Sequence, residues 1–380
     1  MQVVKGIAAL LAVPGVFIFY LFLGWGSETL AISKLASVLS LVYIALIIIA
    51  IWMLLYWKGK RRIVLISVLA VSVLFCGSIF AIDYDRKFVQ RLAEGDLLLG
   101  YEPIENSKIV KFTTGLQMSS REFPKLDGST ALYPVYSSLA YNVLTDKSKV
   151  LSRVFRTGTD KAYTELIVGS VDIIFVPAPS KGQIERALEA GVSYEITPIG
   201  REAFVFIVNS KNKVDGLTGK QIRQIYSGNI MNWREIGGRN SEIRAYQRNE
   251  NSGSQTAFMN FMGNTKIMEP IEEAYAVPDM IGLARAVAIS DYKNYHNAIG
   301  YSFRFYTSEM VRDNNIKMLA IDGVQPTREN INNKTYPIAD NFYAVTILER
   351  PNDNVGKLIQ WLISEEGQDF INETGYVGSY

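Results

Sequence analysis

The stretch Arg248-Asn249-Glu250-Asn251-Ser252-Gly253-Ser254-Gln255-Thr256 puts an arginine four residues ahead of a Ser-Gly-Ser turn that opens a helix-patterned run. Serine is a favoured helix N-cap, and glycine permits a tight entry to the helix. The first amide N–H groups of a helix have no acceptor within it, and the helix dipole adds positive potential there, so such a turn attracts anions. The guanidinium fork would add charge-assisted donors at the same point. Two readings are open on this stretch alone: an oxyanion site, or a surface arginine beside an ordinary capped helix.

Two other turns upstream share the pattern. Asp127-Gly128-Ser129-Thr130-Ala131-Leu132-Tyr133-Pro134 has a glycine for the turn and hydroxyls for the cap. Arg156-Thr157-Gly158-Thr159-Asp160 opens another helical run, although Asp160 would repel an anion if it pointed inward; by itself this turn reads as a plain N-cap. Around the turns, β-rich runs at 171–176, 203–208, 243–246, 298–303, 316–321 and 342–348 alternate with helical runs. The helical runs lie at 133–144, 162–169, 181–190, 219–226, 254–262, 280–290 and 354–374. Strands alternating with helices predict an α/β fold. No fixed-period repeat and no low-complexity stretch interrupts it.

The first part of the chain is different. Three apolar segments, about 6–25, 35–57 and 63–82, are each long enough to cross a bilayer, which takes about 20 residues as helix. Between the second and third lies Lys58-Gly59-Lys60-Arg61-Arg62, whose positive charges are expected to stay in the cytoplasm. Lys5 falls on the same side by parity. The N-terminus is therefore expected inside and everything after Asp83 outside, as a multi-pass cell-membrane protein with an extracytoplasmic domain. The first segment is not followed by a small-residue cleavage site, so it does not read as a cleaved signal peptide. Cys76 is preceded by Phe75 rather than a small residue and reads as an inert thiol in an apolar setting. Residues 84–125 read as a juxtamembrane helix running into an irregular, solvated linker.

Composition narrows the function. A net charge of +2 argues against a nucleic-acid partner, which would need a clustered basic face. The single cysteine and the single histidine, His296, offer no metal cluster and no internal disulfide. His296 lies in a polar stretch and reads as a surface residue. No nucleophile with a general base stands out, so no enzyme, cofactor or metal is expected.

Residues 126–380 resemble the PstS-like phosphate-binding family, within the type II periplasmic-binding folds. Gly128-Ser129-Thr130 followed by Pro134 looks like the family's opening turn. Gly158-Thr159 and then Gly169-Ser170-Val171-Asp172-Ile173 is similar to its second turn, helix and strand. Ile225-Tyr226-Ser227-Gly228-Asn229-Ile230-Met231-Asn232-Trp233 is the most specific match, and Arg248 through Ser254 matches the anion loop. Ile299-Gly300-Tyr301, Tyr336-Pro337-Ile338 and Gly375-Tyr376-Val377 fit later landmarks. The resemblance implies two α/β lobes that close on inorganic phosphate, with crossings near Ala203 and Ala298. Lobe one is then 126–202 plus 299–380, and lobe two 203–298. It also implies a ligand set of Ser129, Thr130 and the Ala131 N–H from the first turn, Thr159 from the second, and Arg248, Ser252, the Gly253 N–H and Ser254 from the third.

Two departures stand out. Residues 175–180 carry no acidic side chain where some phosphate binders place a proton acceptor, and Glu250 is expected to supply it. The multi-span anchor also departs from the usual secreted or lipid-anchored form. The resemblance implies a solute-binding protein feeding ABC permease subunits. Because three spans exceed what tethering needs, the alternative is a membrane-fixed oxyanion sensor or assembly partner.

Overall fold

The computed structural model describes residues 98–270 and 297–379. The three expected membrane spans, Cys76, the helix expected at 280–290 and His296 lie outside the described residues. Among the described residues no helix is long and apolar enough to cross a membrane.

One strand organises everything else. β3 (Tyr194–Asn209) is 16 residues long, following β1 (Leu126–Gly128) and β2 (Ile173–Val176) in the chain. Its first half pairs antiparallel with β9 (Ala339–Ile347), from Tyr194 opposite Ile347 to Ala203 opposite Ala339. Its second half pairs on one edge with β6 (Ala298–Phe303) and on the other with β7 (Ile316–Met318). β1 and β2 extend the first sheet beyond β9, and β5 (Arg244–Ala245) extends the second beyond β6. Each half of β3 is thus the middle of its own lobe. At the bulge between Pro198 and Gly200 a Cβ on Gly200 would lie 2.3 Å from the Phe342 ring, so only glycine lets the strand bend there.

Helices cover both sheets. α1 (Tyr133–Val143), α2 (Thr159–Val168) and α3 (Lys181–Glu189) belong to lobe one, and α4 (Gly219–Tyr226) and α5 (Gly253–Met262) to lobe two. The short α6 (Arg328–Asn332) packs its Ile331 into lobe two. The run expected as one helix at 354–374 is two, α7 (Asp353–Leu362) and α8 (Glu365–Glu373). Ser364 breaks it by capping α8, and Gly367 backs onto Trp361 so closely that a Cβ would sit 2.0 Å from the Trp361 carbonyl oxygen. The run expected at 316–321 also splits, into β7 and β8 (Ala320–Ile321), the latter paired with β4 (Gly216–Leu217).

Two expectations are corrected. The second crossing does not lie near Ala298, and 299–380 is not all lobe one. β6 pairs with Phe204–Val208 and so lies in lobe two, as do β7, Ile331 and Tyr336. The chain leaves β6 at Arg304, packs Phe305, Tyr306 and Met310 into lobe one, and returns to lobe two before β9. The reason is that the C-terminal half of β3 offers two free edges, and strands from late in the chain fill both. Likewise, the described part of the expected linker is irregular but only partly solvated. Tyr101, Ile109, Met118 and Phe123 are buried, and Asn142 on α1 accepts from the Phe112 amide (2.9 Å) while donating to the Val110 carbonyl (2.7 Å).

Glu202 and Arg304 sit at two of these crossings. The pair is buried, with the Arg304 Nε 3.5 Å from the Glu202 carboxylate. Glu202 also accepts from the Ala203 amide (2.8 Å) and the Phe305 amide (3.2 Å), so one carboxylate fastens both passages. Burial holds the Glu202 carboxyl above its ordinary value, against the pull of Arg304 and these amides. An acid whose pKa is higher in the folded chain than in the unfolded one loses stability as pH rises from the unfolded value through the folded one. Arg304→Met leaves the carboxylate without its cation. The variant is expected to lose about 3–5 kcal/mol at pH 8 and distinctly less at pH 5, where the carboxyl takes up a proton. Thermal melts at the two pH values check this, and equal losses would remove the ion pair from its role at the hinge.

Candidate functional site

β1 ends in the first turn. A Cβ on Gly128 would lie 2.3 Å from the Phe175 carbonyl oxygen, so glycine alone allows β1 to run this close to β2. The Ser129 amide donates to that same oxygen (2.9 Å). The Ser129 hydroxyl is buried and has no hydrogen-bond partner among the described residues. Thr130, half-buried, begins a short 3-10 turn that leads into α1, and the buried Ala131 offers its carbonyl to the Tyr376 hydroxyl.

Asp127 ties the first turn to the second. One carboxylate oxygen accepts from the Gly128 amide and from the Thr157 amide, both at 2.8 Å, and the other accepts from the Thr157 hydroxyl at 2.6 Å. Burial pushes this carboxyl above its ordinary value, opposed by those hydrogen bonds. The second turn then passes through Gly158, at φ +88°, and Thr159 opens α2 as a buried residue. Asp160 does not face the turn as an unmatched charge. It forms an ion pair with Arg186 and accepts from the Gln183 side chain (3.2 Å), both on α3.

The third turn is braced from below. The Arg248 amide donates to the Gln255 side-chain oxygen (3.1 Å) and to the Tyr301 hydroxyl (2.9 Å). Burial holds the Tyr301 hydroxyl well above its ordinary value, so it stays protonated and donates to Gln255. Its ring stacks on Phe258 of α5, with centroids 4.5 Å apart and planes within 5°. The start of α5 is thereby fixed to β6. Ser252 caps α5 by accepting from the Gln255 amide (3.3 Å), and Arg248 Nη1 donates to the Ser254 hydroxyl (3.1 Å). Both serine oxygens serve here as acceptors, which leaves their protons to donate elsewhere.

The turns converge across the lobes. A Cβ on Gly253 of lobe two would lie 2.8 Å from the Thr159 hydroxyl oxygen and 3.0 Å from the Pro177 ring, both of lobe one. Beside this contact, Asn251 bridges the lobes. Its side-chain oxygen accepts from the Ser180 hydroxyl (2.7 Å) and its carbonyl from the Gln183 side chain (3.0 Å). Asn251 holds φ +62°, a left-handed conformation that asparagine tolerates better than most residues. Next to the turns a cavity of about 40 Å³ separates the lobes, walled by Ser129, Ala131 and Pro177 on one side and Phe204 and Thr256 on the other.

Of the residues expected from sequence, Ser129, Thr130 and Ala131 are thus joined to the Thr157–Thr159 turn through Asp127. Thr159 meets Gly253 directly, and Ser252, Ser254 and Arg248 belong to one braced loop. Glu250 is not brought in: it is exposed on the outer bend of the loop. Sequence reasoning missed Asp127, Asn251, Ser180, Gln183 and Gln255. Asp127 left a signal, a carboxylate immediately before the turn glycine. The others act through tertiary contacts that no local pattern marks. Among the described residues no group of three or more His, Cys, Asp or Glu side chains is placed to hold a metal ion. What the site presents is a set of donors: the first amides of α2 and α5, which lack intrahelical acceptors, several hydroxyls and a guanidinium. Asp127 and Asp160 beside the turns accept from protein donors, while Glu202 and Asp340 line the adjoining cavity.

A family model described as the PBP superfamily domain matches residues 124–366, more than half of the chain. Among curated proteins, the chain is 26% identical over 261 residues to the phosphate-binding protein PstS of Borreliella burgdorferi, covering 67% of this chain and 88% of that protein. It is 24% identical over 262 residues to the PstS of Staphylococcus saprophyticus, covering 67% and 79%. Among solved structures, it is similar to a substrate-binding protein from Clostridium perfringens, described as part of a phosphate ABC transporter and solved with bound phosphate. That match has 26% identity and a TM-score of 0.54, and covers 67% of this chain and 99% of the other. An ABC-type phosphate transport receptor from Vibrio cholerae, 22% identical with a TM-score of 0.51 and coverage of 67% and 98%, shares the fold.

Gly253→Ala tests the convergence. The added methyl would lie 2.8 Å from the Thr159 hydroxyl oxygen and 3.0 Å from the Pro177 ring, so one of these neighbours must shift. The melting temperature of the variant is expected to fall by a few degrees. An unchanged melting temperature would mean that α5 and α2 do not pack on each other in solution.

Proposed function

The chain belongs to the PBP superfamily, and from that premise we propose that its two lobes capture inorganic phosphate for an ABC importer. The observation that carries the proposal is the approach of Thr159 and Gly253 from opposite lobes. We read the two helix N-termini, the hydroxyls of Ser252 and Ser254 and the Arg248 guanidinium as facing the ion together. Such a cluster of donors complements an anion whose oxygens accept hydrogen bonds, and a tetrahedral oxyanion is the compact case. The phosphate-binding names of the curated relatives point the same way.

In this reading Ser129, Thr130, the Ala131 amide and Thr159 bind from lobe one, and Arg248, Ser252, the Gly253 amide and Ser254 bind from lobe two. Ser129 contributes a hydroxyl that has no acceptor within the described residues. The bridge from Asn251 to Ser180 and Gln183 then holds the lobes closed over the ion. Segments 6–25, 35–57 and 63–82 anchor the chain in the membrane with residues 84–380 outside, supported by the basic loop from Lys58 to Arg62. Protease added to intact cells whose wall or outer membrane has been removed would digest the domain in this topology and spare it in the inverted one.

Calorimetric titration of the full chain in detergent with phosphate tests the binding. One charge-assisted hydrogen bond is worth about 1.5–3 kcal/mol, so Arg248→Ala is expected to weaken phosphate by roughly 10- to 100-fold. The melting temperature without ligand should hold within a few degrees, because the loop keeps its backbone contacts to Gln255 and Tyr301. Wild-type affinity in the variant, or no binding by the wild type, would overturn the assignment. Because Glu250 is exposed, Glu250→Gln is expected to leave the ratio of phosphate to sulfate affinity unchanged. A ratio shifted tenfold toward sulfate would restore it as the proton acceptor.

A further inference from the structure

Glu202 lines the interlobe cavity, whereas Arg304 lines a second pocket of about 530 Å³, so their ion pair stands between the two spaces. The wall of this second pocket carries four cationic side chains, Lys108, Arg304, Arg312 and Arg328, and one carboxylate, Glu309. They come from separate parts of the chain: the coil before β1, the crossing after β6, the end of the 306–311 helical turn, and α6. Only the tertiary fold gathers them.

Their charges are not cancelled. Arg312 pairs with Glu309 (2.7 Å) and Arg304 with Glu202 (3.5 Å). Arg328 is oriented by the carbonyls of Asn372 (2.8 Å) and Tyr376 (3.0 Å), which carry no net charge, and the Lys108 ammonium stands 5.7 Å from the centre of the Tyr101 ring. Counting Glu202 beside Glu309, four positive charges face two negative ones, so the concavity carries a net positive charge that attracts anions. Arg312 holds φ +50° as the left-handed cap that ends the 306–311 helical turn. Tyr101 contributes an aromatic face. The volume falls within the range of sites for organic molecules and is more than ten times that of the interlobe cavity.

We infer that this pocket is a second anion site, separate from the interlobe turns, and that it takes a small organic anion with two or more negative charges. Phosphate esters and polycarboxylates share that chemistry. Arginine forks bind either group through paired N–H donors, and the arrangement fixes charge and size rather than the identity of the acid.

The full chain in detergent is titrated calorimetrically with fructose 1,6-bisphosphate and, separately, with citrate. Saturable binding of either probe is expected. Binding of the bisphosphate alone identifies the ligand as a phosphate ester, binding of citrate alone as a polycarboxylate, and binding of both as selection by charge. The double variant Lys108→Ala, Arg312→Ala is expected to weaken the bound probe by tenfold or more while inorganic phosphate affinity changes less than twofold. Both side chains reach the surface, so the melting temperature should stay close to that of the wild type. Arg248→Ala should do the reverse, weakening phosphate and sparing the probe. This pattern separates failure here from failure of the phosphate assignment. No binding of either probe at millimolar concentration overturns the inference. So does a probe whose affinity survives the double variant or falls with Arg248→Ala.

Discussion

Both lobes hang on the continuity of β3. A strand rises about 3.3 Å per residue, so 16 residues span roughly 50 Å, enough to centre two sheets in sequence. One half pairs with β9 and the other with β6 and β7. The lobes therefore share covalent and hydrogen-bonded backbone at Glu202–Phe204, and any relative motion bends this short stretch. The bulge at Pro198–Gly200 and the ion pair of Glu202 with Arg304 lie there for the same physical reason. A place where the chain passes between cores several times has buried backbone groups to satisfy, and a buried carboxylate with two amide donors satisfies them at two crossings at once.

The site follows from that frame. The three turns stand at strand ends or helix starts, and the frame aims them at one another. The carboxylates beside the turns are held by the protein itself. Asp127 and Asp160 both lie beside the turns, and each is committed to protein donors: Asp127 to Gly128 and Thr157, Asp160 to Arg186 and Gln183. Asp160 is matched by the cation of Arg186, whereas Asp127 meets only neutral donors and burial favours its neutral form. The Phe258–Tyr301 stack and the Gln255 bridge do the corresponding work for Arg248, fixing its backbone so that the guanidinium meets Ser254.

Much of this was legible in the sequence. The hydroxyl-glycine turns at 128–130, 157–159 and 252–254 announce themselves because capping chemistry is local, depending on residues within one helical turn. Helices at 181–189 and 219–226 were readable for the same reason, since Ser180 with Gln183 and Thr218 with Gln221 form capping boxes. Where an element ended by tertiary contact, local reading ran past it. The split of 316–321 depends on which strand each half finds as a neighbour, whereas the split of 353–373 at Ser364 is a local cap that the helical periodicity hides.

The α/β character, the three turns and the arginine that joins one of them can be read from residues close together along the chain. Folding fixes the rest: the second crossing falls at Arg304, Glu250 stays outside while Asn251 reaches across to Ser180 and Gln183, and four cations collect behind the hinge. Those facts rest on contacts between residues far apart in sequence. Sheet edges, buried charge and chain reversals select such contacts together, and no local pattern encodes that joint selection.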